Sequence, residues 1–462
     1  MGTGHRTEED LLGRIQVPAQ AYWGAHTERA RTNFPFSGYR VHPGMIRALA
    51  LVKKACCLAN SELGLLDAGK ATAINRACDQ IAGGGLADQF PLDALQGGAG
   101  TSTNMNMNEV IANRAIEILG GTLGDYSRVH PIEDVNLNQS TNDTYPTALK
   151  VGAIMGLRGL SEAIAGLQGA FQEKEMQFAG IVTIGRTELQ EAVPITLGAE
   201  FSGFAEAMSR DRWRTFKSEE RLRVVNIGGT AVGTGISAPR SYIFLVIERL
   251  RDVTGLGLAR GENLLDQTAN ADSFVEVSGI LSAHASSLVK ICNDLRILGL
   301  LGEIRVPAVQ AGSSIMPGKV NPVLLEAGIQ AGMKVMANNS LIADACSRGS
   351  LQINEFLPLV CFALLESVDL LTRVDTRLAA HIRGIEADEL RSRAYFEKSP
   401  MIITALLPHV GYDRATRLVG ELIASGKENV MEFLRERLGD ELVSTVFSPR
   451  NLVALGYKDG QE

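Results

Sequence analysis

The sequence predicts a mainly α protein built around a bundle of long helices. Three observations carry that expectation. From Phe274, the residues Phe274, Val277, Leu281, His284, Leu288, Ile291, Leu295 and Leu298 fall at alternating spacings of three and four, which holds one stripe on one side of a long helix. Further apolar-periodic runs occupy 142–178, 190–222, 239–252 and 323–347, with another from about Leu357, and short polar connections separate them. Aromatic residues make up 5% of the chain and hydrophobic residues 45%, so the core has to be packed mostly from Ala, Leu, Ile and Val.

Taken in order, the first 40 residues are polar and turn-rich, and Pro18, Gly24, Pro35 and Gly38 mark an extended arm more than a helix. Helical patterning begins near Met45. His284 lies on the seam of the run that starts at Phe274, where a hydrogen-bonded core or interface histidine is expected. A change of composition near Lys398, Ser399 and Pro400 marks a boundary. Beyond it, GYDRATRLVGELIASGK reads as one further amphipathic helix in a small terminal domain. At 462 residues the chain is long enough for two or three domains.

Composition also excludes some functions. The formal charge is -7, from 45 basic and 52 acidic residues, with neither a basic block nor an acidic tail, which argues against nucleic acid or an anionic membrane as partner. The segment MGTGHRTEEDLLGRIQVP has charges where a signal peptide needs an apolar run, and no stretch reaches about 18 uncharged apolar residues. A cytoplasmic protein is expected. Cys56, Cys57, Cys78, Cys292, Cys346 and Cys361 show neither CxxC pairing nor nearby histidines, so buried free thiols are expected, with no metal site and no cofactor.

The stretch Gly312 to Pro322, GSSIMPGKVNP, places two hydroxyls, a lysine and an asparagine on a loop too rich in Gly and Pro to be helical. Such a set suits abstraction of a proton next to a carboxylate, which needs a base, a cation for the charge that builds on the carboxylate, and an amide to hold it. Three other segments carry more small polar residues than their surroundings require: QGGAGTSTNMNMN (96–108), HPIEDVNLNQSTNDTYP (130–146) and GRTELQEAVP (185–194). Each taken alone reads more readily as helix capping than as a set of neutral donors for a carboxylate.

Together these segments resemble the fumarase/aspartase superfamily, and the resemblance covers nearly the whole chain. RTEEDLLGRIQVPAQAYWGAHTERARTNF, QGGAGTS, QSTND with a following tyrosine, and LQINEFLPLV lean towards its ammonia-lyase branch, while NMNMNEVIANRA is shared with fumarases. The resemblance implies three domains, 1–139, 140–397 and 398–462, the central one a helical bundle that forms a twenty-helix core in a homotetramer. It implies active sites assembled from three subunits and a reaction that removes ammonia or an amine from L-aspartate or a similar amino acid, leaving fumarate or a related unsaturated acid. Two alternatives remain: fumarate hydration, and lyase chemistry on a non-aspartate substrate. A structural role of the lens-crystallin kind is opposed by the complete set Ser313, Lys319 and Asn321.

The same resemblance assigns roles. Ser313 matches the catalytic base. Lys319 and Asn321 match the residues that bind the carboxylate and stabilise the aci-carboxylate intermediate. Thr101, Ser140, Thr141 and Asn142 match the substrate pocket, with Thr187 beside them. Where relatives carry His or Gln, this chain has Glu188, and Glu326 matches a supporting glutamate that normally approaches that position. Two adjacent carboxylates require a shared proton or an intervening cation. An ionised Glu188 would favour a substrate with an amine, guanidine or amide in place of the distal carboxylate, or an N-substituted aspartate. Ser237 is a second departure, standing where relatives commonly carry Asn.

Overall fold

The computed structural model describes residues 4–457. They group into two compact units. Unit 1 contains residues up to 161, together with 213–283 and 334–371. Unit 2 contains 162–212, 284–333 and the residues from 372 onward.

The chain opens with an antiparallel pair, β1 (His5–Asp10) and β2 (Gly13–Pro18). Helices α1 (Ala25–Asn33), α2 (Pro43–Glu62), α3 (Ala68–Ala82) and α4 (Thr101–Ile118) precede the 37-residue α5 (Thr141–Gln177). The hairpin β3 (Val182–Thr187) and β4 (Gln190–Thr196) leads into α6 (Leu197–Leu222). Two-residue strands β5 (Val224–Val225) and β6 (Ala259–Arg260) pair in parallel around α7 (Arg240–Thr254). Then come α8 (Leu264–Ala269), the 30-residue α9 (Asp272–Leu301), and β7 (Ile304–Arg305), which pairs with β8 (Glu386–Ala387) after α10 (Val323–Ser347) and α11 (Leu357–Arg383). The chain closes with α12 (Glu389–Lys398), α13 (Leu407–Val410), α14 (Tyr412–Ser425), α15 (Val430–Leu438), α16 (Asp440–Val446) and α17 (Pro449–Leu452). The molecule is mainly α, as the sequence predicts.

Every member of the stripe from Phe274 to Leu298 is buried in α9. His284 is 1% exposed and its two ring nitrogens lie 3.2 Å from Asp211 Oδ2 on α6 and 2.8 Å from Asp375 Oδ2 on α11. Burial opposes its charge, but the two carboxylates prevail and raise the imidazole to about 9. It is the hydrogen-bonded core histidine that the pattern implied.

Two sequence expectations need correction. The N-terminal arm contains a helix, α1, whose first turn is satisfied from a distance: the Glu109 carboxylate on α4 accepts the N–H groups of Gly24 (2.8 Å), His26 (2.9 Å) and Thr27 (3.2 Å), and the Thr27 hydroxyl (2.5 Å). A buried anion at a helix N-terminus does what a local cap would otherwise do. Residues 190–196 form a strand instead of the start of α6, because Pro194 lacks a donor and disfavours helical geometry at Val193. Beyond Lys398, α14 is the expected amphipathic helix, and short helices accompany it around a small core of Phe396, Ile402, Leu406, Leu418, Phe433 and Val443 that also takes in Ile184 of β3.

All six cysteines are free; five are buried and Cys346 is half-buried. Among the described residues no group of His, Cys, Asp or Glu is placed to hold a metal ion, and no helix is long and apolar enough to cross a membrane.

Candidate active site

Four of the residues singled out by the sequence lie in unit 1, at the N-termini of α4 and α5. Ser140 caps α5 reciprocally. Its Oγ accepts the N–H of Asn142 at 3.2 Å, and its own N–H donates to Asp143 Oδ1 at 3.0 Å. The other Asp143 oxygen accepts the N–H groups of Gly228 (3.1 Å) and Thr230 (2.9 Å), which pins the 228–230 turn against the start of the helix. Burial pushes the Asp143 carboxyl up to about 7, against these amide donors. Pro146 has no N–H to give the Asn142 carbonyl, and Asn226 Nδ2 donates to it instead at 2.9 Å. The Asn142 side chain in turn donates to Ala231 O at 2.8 Å.

Thr101 opens α4 after Gly100 at φ 90°, where a Cβ would lie 2.2 Å from the Tyr145 ring, so glycine is required both by conformation and by space. The Thr101 hydroxyl donates to Gly98 O at 2.8 Å. Asn104, one turn further along α4, donates to Thr141 Oγ1 at 3.1 Å and so ties the two helix starts together. Ser140 thus caps the start of α5, and the bond from Asn104 to Thr141 joins the starts of α4 and α5. Ser237 sits at φ 70°, a conformation that Asn tolerates better than Ser.

The other six residues lie in unit 2. Thr187 pairs with Gln190, which leaves Glu188 and Leu189 as a two-residue hairpin turn at φ 52° and 62°. Both central residues at positive φ define a turn that strongly favours Asn-Gly; here the two exposed side chains are Glu and Leu, and each costs about 1–2 kcal/mol in that conformation. Such strain persists where the surroundings impose it. The hairpin is held at its base by the fully buried Glu303, which accepts the Thr183 hydroxyl and, at 2.8 Å, Arg186 Nη1. Glu188 lines a cleft of about 790 Å³ together with Arg186, Glu200, Arg210, Lys290 and Asp294.

Glu326, in the first turn of α10, faces Arg296 at 4.0 Å. Among the described residues it makes no hydrogen bond or ion pair with Glu188, and a cation stands beside it instead.

The loop before α10 is folded back on itself. Gly312 N–H donates to Lys319 O at 2.8 Å, and Asn321 Nδ2 donates to Gly312 O at 2.9 Å. A Cβ on Gly312 would meet the Asn321 backbone nitrogen at 2.9 Å, so this closure needs glycine. Within the loop, Ser313 Oγ accepts the N–H groups of Ile315 at 3.2 Å and Met316 at 2.9 Å. Two amide donors aimed at one hydroxyl oxygen stabilise its deprotonated form. Lys319 is exposed and makes no ion pair among the described residues. Among those residues, Thr187 and Glu188 form no hydrogen bond with this loop.

Residues 13–337 match the family model described as lyase. This chain is a member of the lyase family. It is 44% identical over 461 residues to an aspartate ammonia-lyase of Pseudomonas canavaninivorans, covering 97% of each chain. It is also 42% identical over 434 residues to a class II fumarate hydratase of Thermosynechococcus vestitus, covering 92% of this chain and 93% of that one. Among solved structures, a fumarate lyase:delta crystallin of Brucella melitensis bound to cobalt superposes with a TM-score of 0.92 at 44% identity, over 97% of this chain and 99% of that one.

Sequence reasoning about this lyase missed Lys53, Asn136 and Asp143. Lys53 is fully buried on α2, and burial pulls its ammonium down to about 8 although Cys56 and Asp143 oppose the shift. Its signal was available: a lysine in helical phase with the apolar residues of LVKKACCLAN. The S-x-x-D spacing of Ser140 and Asp143 was a second readable signal.

Proposed function

We propose that this lyase eliminates ammonia from L-aspartate to give fumarate. The observation that carries the reading is the arrangement on one short loop: Ser313 Oγ under two N–H donors, with the unpaired ammonium of Lys319 close by in sequence. Ser313, as its alkoxide, takes the proton from the carbon beside the retained carboxylate. The electron pair moves into that carboxylate as an aci-carboxylate, which Lys319 and Asn321 stabilise, then returns to form the double bond as the C–N bond breaks and ammonia leaves. Only contacts that strengthen as charge accumulates speed this step, and a lysine with a neutral amide meets that condition. Thr101, Ser140, Thr141, Asn142 and Thr187 supply neutral donors to the substrate, and Glu326 is a supporting residue.

The reading includes a homotetramer with a twenty-helix core, active sites drawn from three subunits, the domain division 1–139, 140–397 and 398–462, and a cytoplasmic location. The stripe along α9 is already buried within the chain and does not itself call for a partner, so the assembly part of this reading rests on the resemblance to the family. Near-equal identity to an ammonia-lyase and to a hydratase makes the assay decisive. Fumarate formation, followed at its absorption band with aspartate, malate and a panel of amino acids, should be fastest with aspartate. Faster turnover of malate would replace this reading with fumarate hydration.

A second reading rests on Glu188. Its carboxylate is exposed at the apex of the hairpin with no cation paired to it among the described residues, which favours a substrate whose distal group is an amine, guanidine or amide, or an N-substituted aspartate.

A further inference from the structure

We propose that Lys53 is a positioning residue that makes the Thr141 hydroxyl a hydrogen-bond donor towards the substrate, an inference that rests on the reading of Thr141 as a carboxylate ligand. The geometry lies within unit 1. Lys53 Nζ donates to Asn136 Oδ1 at 2.8 Å and to Gln139 Oε1 at 2.9 Å. An ammonium only donates, so both amides must turn their oxygens towards it. Gln139 then sends its nitrogen to the carbonyls of Val135 (3.0 Å) and Leu137 (3.2 Å).

The orientation of Asn136 propagates. Its nitrogen donates to Gln139 O at 3.1 Å, and its oxygen also accepts Asn104 Nδ2 and Asn108 Nδ2, both at 3.2 Å. An oxygen in that place can be met only by the nitrogen of Asn104, which fixes the Asn104 amide as well. The second hydrogen on Asn104 Nδ2 reaches Thr141 Oγ1 at 3.1 Å, while Asn104 Oδ1 lies 3.4 Å from the oxygen of Thr144, whose hydroxyl donates to Ser140 O at 2.9 Å. Thr141 is 8% exposed and its oxygen is already an acceptor, so its single hydroxyl hydrogen must point elsewhere. Among the described residues it donates to no protein group.

A carboxylate offers only acceptors, so a hydroxyl held in this sense is a preset donor for it. Were Asn104 reversed, Thr141 would donate to Asn104 Oδ1 and turn a lone pair towards the substrate. The one charged group in this chain of contacts is Lys53, and its charge removes the ambiguity of every amide after it.

The test uses the full-length enzyme and L-aspartate, with kcat/KM and melting temperature measured for wild type, Lys53→Met, Asn104→Asp, Thr141→Ala and each double variant with Thr141→Ala. An aspartate in place of Asn104 presents only acceptors, so it reverses the sense of the Thr141 hydroxyl without depending on Lys53. The expected result is that Lys53→Met and Asn104→Asp each lower kcat/KM by about a hundredfold, the scale of losing one preorganised donor. Neither should lower it further once Thr141 is replaced by Ala. Full additivity with Thr141→Ala, or an unchanged kcat/KM in Lys53→Met, would overturn the proposal while leaving the role of Thr141 intact. A Thr141→Ala enzyme with wild-type kcat/KM would instead remove the carboxylate-ligand reading, and this inference with it. If Lys53→Met shows no cooperative melting, Lys53→Gln, of similar length and without the charge, takes its place in the same comparison with the same outcomes.

Discussion

Ser313 Oγ accepts the backbone N–H of Met316 at 2.9 Å, so the hydroxyl that the sequence marks as a base is held by donors of its own loop before any substrate arrives. Ser313→Ala is therefore expected to abolish turnover. The residue sits on a partly exposed loop outside the core, so the melting temperature should stay within a few degrees of wild type. More than a tenth of wild-type activity in the variant would remove Ser313 from the role of base.

Lys319 and Asn321 should separate kinetically. Lys319→Ala loses the cation proposed to stabilise the aci-carboxylate and should lower kcat by about a thousandfold, whereas Asn321→Ala loses a neutral donor and should cost about a hundredfold. Asn321 also ties its side chain to Gly312 O, so its variant should in addition raise KM by loosening the loop. Steady-state kinetics on the two variants check the order, and a worse Asn321 variant would reverse it.

Glu188 joins two effects that can be measured apart. Rebuilding the turn as an Asn-Gly pair, through Glu188→Asn together with Leu189→Gly, should raise stability by about 1–2 kcal/mol because both positions have positive φ. Glu188→Gln, which keeps the shape and removes the charge, should raise kcat/KM for aspartate. Unit charges about 4 Å apart at an effective dielectric near 20 interact by roughly 4 kcal/mol, ample for a hundredfold change. An unchanged kcat/KM would mean that the carboxylate points away from the substrate.

The His284 cluster predicts a pH dependence of stability. Its folded value of about 9 lies above the ordinary 6.5, so the protonated imidazole contributes stability that is fully present below about pH 6.5 and is lost as pH rises to about 9. Asp211 and Asp375 are the carboxylates in contact with it, and burial raises Asp375 while the imidazolium lowers it. Thermal unfolding from pH 6 to pH 9 should show a falling melting temperature that flattens in His284→Gln, a variant that is also weaker throughout because it leaves buried carboxylates without their cation. An equally steep fall in both proteins would locate the pH dependence elsewhere.

Assembly gives a further check. Sedimentation of the wild-type protein should show a tetramer at micromolar concentration, and an active monomer would leave the three-subunit active site without support.

The long helices were legible in the sequence because periodicity is a local property: α5, α7, α9, α10 and α11 fall within about two residues of the apolar runs that announced them. The string from Gly312 to Pro322 likewise announced a loop, since Gly and Pro disfavour helix locally. What tertiary structure alone decided depends on groups brought together from distant segments. Glu109 makes a helix of residues 25–33 from 82 or more positions away, a contact that no local pattern encodes. Pro194 and the register of the hairpin turn 190–196 into strand and set Glu188 at a strained apex. In the sequence Lys53 is one lysine in an apolar run; the role proposed for it depends on Asn136, 83 residues later, presenting an oxygen to it, because the direction of a hydrogen bond is settled only when both partners are in place.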